Sequence, residues 1–303
     1  MANSLAIVGA GRVGRALGKL LHLAGWRIGA VVTQNIGAAK KAARFIGAGR
    51  PVAGISREIL AAQVVLLATP DDQLSFVAQS IVELLGREQQ NAFNGMIFLH
   101  TSGALDAEVL QALRDRGAAV ASMHPLQTFS GVGVPPLEGR FFAVEGDEPA
   151  VRTARKMVRS FGAKPVKLGA GKKVLYHAAA ALAAGHVLAV EEAATRLLIS
   201  AGMTRREAMQ SLLGLTRQVL ENYERLGTRA AWTGPLARND FRVVAAHGAA
   251  MRDLPAEYTG AYEALNYLAA RILAPDAKNT LAELDKIARA AKSNSTKSKI
   301  GGP

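Results

Sequence analysis

The chain of 303 residues contains no cysteine. Disulfides, iron–sulfur clusters, cysteine zinc sites and thiol nucleophiles all require that residue, so the sequence excludes each of them. The six histidines never show the His-x-x-x-His spacing of a zinc-binding helix. We therefore predict no metal site.

Aromatic residues are also scarce, at 5% of the chain, although the formal net charge is +13. A nucleic-acid-binding surface would need basic residues interleaved with aromatic ones. The C-terminal stretch 292–303 has three lysines but no aromatic residue. The charge therefore favours a small anionic ligand, and we predict no nucleic-acid partner.

Long apolar runs are almost absent as well. Met1–Leu5 lacks a basic residue and the run Leu5–Ala10 is short, so we predict no signal peptide. The most apolar segment, Val174–Val190, reaches only the lower length limit for a membrane span and contains Tyr176 and His186. We interpret it as a buried helix and predict a cytoplasmic protein with no membrane partner.

The pattern of apolar residues divides the chain in two. Up to residue 168, short apolar runs alternate with amphipathic helical patterns, which is typical of a doubly wound parallel sheet. After residue 171 only helical patterns follow. We predict the α/β class, with a doubly wound domain at 1–168, an all-α domain at 169–291 and a disordered basic tail at 292–303. The predicted strands cover 5–9, 27–32, 63–68, 95–100, 118–122, 140–145 and 164–168, and the predicted C-terminal helices cover 172–201, 204–226, 240–252, 256–274 and 277–291.

A glycine-rich turn joins the first predicted strand to the first helix. It has the pattern G-x-G-x-x-G directly after an apolar strand, the context in which that pattern binds a dinucleotide. Its amides at the helix N-terminus would receive the pyrophosphate. The sequence therefore predicts a Rossmann domain, with a turn that binds no ligand as the alternative. The cofactor-binding residues are Gly9, Ala10, Gly11, Arg12, Val13 and Gly14.

The position that usually selects NAD lacks a carboxylate. An Asp or Glu about 20 residues beyond the glycines normally holds the ribose hydroxyls. Thr33, Gln34 and Asn35 stand there instead, and the first acidic residue of the chain is Glu58. We predict NADP as the cofactor, with NAD as the alternative. The cations that would receive the 2′-phosphate, or else form a solvated helix face, are Lys40, Lys41 and Arg44.

Polar residues follow two further strands. Ligands of open α/β sheets lie beyond the carboxyl ends of the strands. We therefore assign Thr69, Pro70 and Thr101 to the cofactor site and Ser102 to the catalytic site. A helix-capping role for Ser102 is the alternative.

An irregular segment begins at Met123 and reaches Gly139, with three prolines in it. Structureless segments longer than about 12–15 residues inside compact domains are usually functional or disordered. Because this one follows a strand directly, we favour function and assign His124 to the site.

Six motifs together resemble one family: GAGRVG at 9–14, ATPDD at 68–72, HTSGAL at 100–105, SMHPLQTF at 122–129, KVLYHAAA at 173–180 and TGPLARND at 233–240. The family comprises Rossmann-like NADP oxidoreductases whose C-terminal domain has no known function. It is similar in layout to pyrroline-carboxylate reductase and the 3-hydroxyacid dehydrogenases. The resemblance implies a nicotinamide-binding domain and a helical domain that forms a homodimer, and some relatives are linked to ketopantoate reduction. Relatives often have a basic residue where Gln34 stands.

Lys173, Tyr176 and His177 are expected to share one face of the first C-terminal helix. At about 100° per residue, Lys173 and His177 differ by only about 40°. In the related 3-hydroxyacid dehydrogenases a lysine on the corresponding helix serves catalysis, and by resemblance Lys173 takes that place, with Lys172 as the alternative register. A surface lysine and a buried histidine are the structural alternatives. His186 falls on the opposite face and is interpreted as helix packing.

Arg238 and Asp240 lie in a break between two predicted helices. An arginine can bind a substrate carboxylate through two parallel hydrogen bonds. We assign Arg238 to that role and interpret Asp240 as a helix cap.

These residues predict an NADP-dependent oxidoreductase. It would transfer a hydride to a small carboxylate-bearing carbonyl compound, such as a 2-oxo acid resembling ketopantoate. Lys173 or His177 would supply the proton, while Ser102 and His124 would line the nicotinamide pocket. A cyclic-imine reductase and a non-catalytic NADP-binding regulator are the alternatives.

Overall fold

The structure is a computed structural model that describes residues 3–84 and 91–300, with side chains as far as 291. The chain divides into two compact units between His186 and Val187. The boundary predicted from the sequence lies earlier, at residue 168. The first turns of the helix that begins at Lys173 therefore belong to the unit that contains the sheet.

The first unit is built on one eight-stranded sheet. Its spatial order is β3-β2-β1-β4-β5-β6-β7-β8, and all neighbouring strands are parallel except the antiparallel pair β6–β7. The first three strands extend the sheet to one side of β1, and the strands from β4 onward extend it to the other side. Sheets of this kind bind ligands at the point where the strand order switches, here between β1 and β4. The strands are β1 Ser4–Val8, β2 Arg27–Thr33, β3 Arg50–Ala53, β4 Val64–Leu67, β5 Ile97–His100, β6 Ala119–Pro125, β7 Phe141–Gly146 and β8 Lys164–Lys167.

Helices cover both faces of this sheet. Alternate residues of the central strands contribute to two separate apolar clusters: Ile7 and Leu66 to one, and Ala6 and Val65 to the other. Burial on both faces explains why these strands are continuous apolar runs. The helices of this unit are α1 Arg12–Leu23, α2 Ile36–Ile46, α3 Leu74–Glu83, α4 Gln111–Arg114, α5 Glu148–Ser160 and α6 Lys173–Ala181.

Three features of the first unit differ from the sequence prediction. The edge strand β3 was not predicted. The helix expected over 105–116 is a 3-10 turn, Ala107–Leu110, followed by the short α4. Strand β6 continues to Pro125, so His124 lies on a strand. The segment between β6 and β7 is irregular, as predicted. Without a crossover helix, β7 runs antiparallel to β6.

The second unit is helical, and its five long helices agree with the predicted ones. A π-helical stretch, Leu182–His186, joins α6 to α7. A capping box begins α8, in which Thr204 and Glu207 satisfy each other's backbone amides. The helices are α7 Val187–Ser200, α8 Arg205–Leu226, α9 Thr228–Ala231, α10 Phe241–Ala250, α11 Ala256–Ile272 and α12 Ala277–Ile300.

The C-terminal end differs from the disordered tail that was predicted. The backbone of residues 292–300 continues α12, because no glycine or proline interrupts the helix before Gly301. Residues 301–303 lie outside the described residues.

The apolar helix Lys173–Ser200 is exposed in the single chain, which corrects the prediction of a buried helix. None of its most apolar 18-residue window is buried, and its mean hydropathy is 1.4. By length and composition alone it could cross a membrane, which is weak evidence by itself. Its polar N-terminal turns contact the sheet, as described below.

Candidate active site

The glycine motif forms a tight turn at the carboxyl edge of the sheet. Gly9 has φ of +87°, and a Cβ there would lie 2.7 Å from the backbone of Ala68 and Thr69. A Cβ on Gly14 would overlap the Gly9 carbonyl oxygen. A Cβ on Gly11, in contrast, would meet nothing within 4 Å. The turn therefore requires glycine at two positions and leaves open space at the third.

Helix α1 begins beside this open space. Gly11 is its N-cap and no side chain caps it, so the amides of Arg12, Val13 and Gly14 are oriented to receive an anion. Thr69 Oγ1, just beyond β4, is buried and has no hydrogen-bond partner among the described residues. An uncapped helix N-terminus and an orphaned hydroxyl beside open space fit the pyrophosphate of a dinucleotide.

The two neighbouring strands continue this edge. Pro70 leads from β4 into the 3-10 turn Asp71–Gln73. The amide of Thr101, directly after β5, donates to the Leu67 carbonyl oxygen at 3.1 Å. Both residues lie at the end of a strand as the sequence predicts, and their contact with a cofactor stays a prediction.

The end of β2 is polar and uncharged. Asn35 Oδ1 accepts a hydrogen bond from the Ala38 amide at 2.8 Å and caps α2. The Thr33 hydroxyl donates to the Asn35 carbonyl oxygen at 2.7 Å, while Gln34 is exposed. The cations predicted to select NADP are exposed on α2: Lys40, Lys41 and Arg44.

Ser102 is buried and organises the turn after β5. Its hydroxyl donates to Asp71 Oδ2 at 2.7 Å and accepts hydrogen bonds from the amides of Ala104 and Leu105. The hydroxyl therefore holds a turn and caps no helix, because the 3-10 helix that follows begins at Ala107 with Asp106 as its N-cap. A direct catalytic contact of Ser102 stays a prediction.

Lys173 is fully buried in the first turn of α6. Its Nζ donates to the Ser102 carbonyl oxygen and to Ser122 Oγ, both at 2.6 Å. The Ser122 hydroxyl also donates to the Ser102 carbonyl oxygen, at 3.3 Å. Lys173 therefore fastens α6 to the carboxyl ends of β5 and β6.

Burial perturbs the ionisable groups around this lysine. It lowers the pKa of Lys173 to about 8, and the carboxylates of Glu145, Asp106 and Asp71 oppose the shift. Burial also raises the pKa of Glu145, whose Oε1 accepts a backbone amide hydrogen bond at 2.6 Å. Burial and the Lys173 charge lower the pKa of His100 to about 3. At neutral pH, Lys173 remains mostly protonated beside three carboxyl groups.

Three aromatic side chains lie next to Lys173. His124 Nδ1 is 3.0 Å from Tyr176 Oη, within hydrogen-bond distance. The His124 ring packs edge-to-face on both Tyr176 and His177, with centroid distances of 5.5 and 5.8 Å. A Cβ on Gly103 would lie 2.8 Å from His124 Nε2 and would overlap His177 Nδ1. Gly103 therefore permits both histidines to approach the turn after β5.

The environment keeps the two hydrogen-bonded groups uncharged. Burial, with smaller contributions from Lys173 and His177, lowers the pKa of His124 to about 3. Burial raises the pKa of Tyr176 to about 12. At neutral pH the pair is therefore a neutral imidazole and a protonated phenol.

A cavity of about 560 Å³ opens beside these groups within the first unit. Its volume lies in the range of small-molecule sites. The polar side chains are at the sheet end, while alanines of α6 and the π-helical stretch form an apolar wall. Lys173 does not line it. The lining residues are His124, Pro125, Leu126, Gln127, Thr128, Tyr176, His177, Ala179, Ala180, Ala181, Ala183 and Ala184.

The irregular segment after β6 also contacts the nucleotide-binding helix. An Arg15 guanidinium nitrogen donates to the Gly131 carbonyl oxygen at 2.7 Å. A Cβ on Gly131 would lie 3.2 Å from Arg12 Nε. The irregular segment that follows Pro125 therefore reaches from the cavity to the start of α1.

Arg238 lies in the second unit, in the 3-10 turn Leu236–Arg238, and is exposed. Asp240 Oδ1 accepts the Val243 amide and caps α10, as predicted. Because the two units are separate bodies, the carboxylate-binding role of Arg238 stays a prediction.

Sequence reasoning placed Tyr176 on the correct helix face but gave it no role. It also missed Ser122 and Glu145, which contact or neighbour Lys173. The signal for Ser122 was its position in the SMHPLQTF motif. Glu145 gave none, since it follows four apolar residues at the end of a predicted strand, where a surface residue is expected.

Two family models match the chain, and the second begins just before β7, inside the sheet, and not at the division between the two compact units. The model of a Rossmann-like domain matches residues 2–125, and the model of a domain of unknown function, DUF2520, matches residues 140–268. No curated protein gives a match.

Solved structures share the fold over most of their length. A candidate NADP oxidoreductase from Bacteroides fragilis is 21% identical, with a TM-score of 0.69 over 87% of this chain and 96% of that one. A reductive aminase from Aspergillus terreus, in complex with NADPH, is 18% identical, with a TM-score of 0.63 over 89% and 94%. A pyrroline-5-carboxylate reductase from Coxiella burnetii is 15% identical, with a TM-score of 0.55 over 86% and 96%. The resemblance stated from the motifs is confirmed: residues 2–125 match a Rossmann-like domain, and residues 140–268 match DUF2520.

Proposed function

We propose that the protein is an NADPH-dependent reductase of small carbonyl or imine compounds. One observation carries the proposal: a dinucleotide-binding turn with open space at Gly11 and a cavity with three proton-bearing side chains occur in the same unit. Both lie at the carboxyl ends of parallel strands of one sheet, β1 and β6, with β4 and β5 between them. This is the binding edge of open α/β folds.

The cofactor would be held by the residues at this edge. The α1 amides and Thr69 would bind the pyrophosphate, and the residues after β2 would bind the adenosine ribose. When bound, NADPH supplies a hydride. The chain's own groups orient the substrate and supply a proton at the polar end of the cavity.

The lining supports a neutral C=O or C=N group more directly than an acid. No lysine or arginine lines the cavity among the described residues, so a carboxylate-bearing substrate such as a 2-oxo acid would need an anchor outside this lining. Because a reductive aminase shares the fold, imines are the second substrate class that we propose. The alternative to an enzyme is a regulator that binds the nucleotide without turnover.

Oxidation of NADPH with a panel of 2-oxo acids, neutral ketones, aldehydes and cyclic imines tests the proposal. Turnover of at least one class is expected. NADPH binding without turnover across the whole panel would favour the regulator.

NADPH is expected to bind at least about tenfold more tightly than NADH, a difference of about 1.4 kcal/mol. No carboxylate follows β2 to hold ribose hydroxyls, while the exposed cations of α2 would attract a 2′-phosphate. Replacing Lys40, Lys41 and Arg44 by serine should reduce the ratio of the NADPH affinity to the NADH affinity. The control removes three exposed cations of α5, Arg152, Lys156 and Arg159, and should leave the ratio unchanged. Equal affinities of the wild-type protein for both dinucleotides would contradict the NADP assignment.

We also propose a homodimer, because the helices α6 to α8 expose large apolar side chains. Leu175 and Leu188 are 71% and 70% exposed. A soluble chain rarely leaves so extended an apolar surface uncovered. Light scattering at micromolar concentration should give twice the chain mass of 31.8 kDa. Leu188→Arg should shift the mass toward the monomer, while Leu23→Arg, an equally exposed position on α1, should not. A monomer mass for the wild-type protein would refute the dimer. The cytoplasmic location and the absence of nucleic-acid and membrane partners stay predictions.

A further inference from the structure

Lys173, one of the two proton donors that the sequence predicts, is not placed to contact a substrate in the cavity. Its side chain is fully buried, and Nζ donates two short hydrogen bonds to Ser102 and Ser122. A general acid must lie within hydrogen-bond reach of the atom that it protonates. The geometry instead gives Lys173 a positioning role behind the cavity.

Tyr176 does lie in the cavity, one turn further along α6. Its hydroxyl is 3.0 Å from His124 Nδ1, and both side chains line the cavity. Lys173 Nζ lies 5.9 Å from the centre of the Tyr176 ring, where its positive charge would stabilise a phenolate. The phenol therefore has a hydrogen-bonding partner on one side, a cation beneath it and the cavity in front.

We propose that Tyr176 is the group that protonates the substrate, and that His124 orients it by donating its Nδ1–H to Tyr176 Oη. This inference rests on the proposed reductase function and names its acid. In this arrangement the phenol hydrogen points to the cavity and not to the imidazole. If instead the phenol donated to His124, its proton would be directed away from the substrate.

The step is balanced as follows for a carbonyl. The C=O π bond breaks, the carbon gains a hydride and the oxygen gains the proton of Tyr176 Oη. NADPH is the hydride source and leaves as NADP⁺. The resulting Tyr176 phenolate accepts the His124 Nδ1–H hydrogen bond and takes a proton from solvent water. The net change is one hydride and one proton added to the substrate.

The charge states described above fit these roles. A phenol with a pKa raised to about 12 stays protonated at neutral pH, and it remains a stronger acid than an alkoxide's conjugate alcohol. A histidine with a pKa lowered to about 3 is not an imidazolium that could itself act as the acid at pH 7. His177 faces the same cavity and is the rival donor.

The first test needs no cofactor. Nitrogen NMR of histidine-labelled, ligand-free protein reports which ring nitrogen of His124 carries the proton. The wild-type protein should show the Nδ1–H tautomer, and Tyr176→Phe should shift His124 toward the Nε2–H tautomer. The chain supplies a matched control, because His247 Nδ1 and Tyr262 Oη form a second pair at 2.8 Å on α10 and α11. Tyr262→Phe should perturb His247 alone. An unprotonated Nδ1 in wild-type His124 would overturn the proposal.

The second test measures single-turnover hydride transfer with a panel compound that the wild-type protein reduces. Tyr176→Phe should slow transfer by about 10²- to 10⁴-fold, as expected for loss of a general acid, with NADPH affinity within a few-fold of wild type. Tyr262→Phe should retain the wild-type rate. A near-normal rate in Tyr176→Phe, or a larger loss in His177→Asn, would overturn the assignment of Tyr176 while leaving the reductase function intact. If the wild-type protein binds NADPH but reduces no panel compound, the reductase function and this inference both fail.

Discussion

Gly11→Ala is expected to weaken NADPH binding by about a hundredfold, close to 2.8 kcal/mol, while the melting temperature stays unchanged. The alanine Cβ meets no protein atom within 4 Å, so the folded chain accommodates it. The same Cβ would occupy the open space at the start of α1, where the backbone must approach the pyrophosphate. Binding titration by NADPH fluorescence and a thermal melt together measure the two effects.

Two other glycines supply the controls. Gly29→Ala places a Cβ 3.6 Å from the Leu5 carbonyl oxygen, an ordinary contact inside β2, and should change neither binding nor stability. Gly9→Ala would force a Cβ to within 2.7 Å of the Ala68 backbone at a positive φ, and should destabilise the fold. Unaltered NADPH affinity in Gly11→Ala would mean that the dinucleotide does not bind at this turn.

Lys173→Met is expected to raise the pKa of His124 and to change how stability depends on pH. The substitution keeps most of the volume but removes the charge that helps to lower the pKa of His124. It also removes two hydrogen bonds that fasten α6 to the sheet, so turnover should fall by about ten- to a hundredfold through misplacement of Tyr176, with NADPH binding retained. Lys173→Ala should be the more disruptive variant, because its cavity would add about 2–5 kcal/mol of destabilisation.

The pH window of this effect follows from the depressed pKa of Lys173. The pKa is about 8 in the folded protein and 10.5 in the unfolded chain. Between these values the unfolded state binds the proton and the folded state does not, so this group makes the protein more stable as pH rises. The stability that it contributes is complete above pH 10.5 and is lost as pH falls through 8. As pH rises through this window, the free energy of unfolding of the wild-type protein should increase by up to about 1.4 kcal/mol per pH unit relative to that of Lys173→Met. Urea unfolding at several pH values measures this difference. Parallel pH curves for the two proteins would show that Lys173 is not buried as described.

The sheet and the long helices could be predicted because their apolar periodicity is strong. Strand β3 could not, since Arg50 and Pro51 are unusual in a strand and are tolerated here because β3 forms an edge of the sheet. The exposure of the α6 and α7 surface was also unpredictable, because an apolar helix pattern does not say whether the same chain or a second copy covers it.

The site could be predicted only in part, because some of its features depend on local spacing and others on contacts that the fold creates. The glycine turn and the helix face of Lys173, Tyr176 and His177 depend on local spacing, which a sequence shows directly. The partner of Tyr176 is His124, 52 residues earlier, and only the fold brings them together. Ser102 and Lys173 were predicted as site residues, but the sequence could not show that both are buried and absent from the cavity lining.

Transfer of deuterium from the reduced nicotinamide tests the reductase function most directly. NADPH labelled at the transferred position is incubated with the protein and the panel of ketones, aldehydes, 2-oxo acids and imines, and the products are examined by mass spectrometry. We expect one deuterium on the former carbonyl or imine carbon of at least one product. At an NADPH concentration near the wild-type Kd, the yield should fall strongly in Gly11→Ala and be retained in Gly29→Ala. Tight NADPH binding with no deuterium in any product would contradict it and would identify a nucleotide-binding protein without turnover.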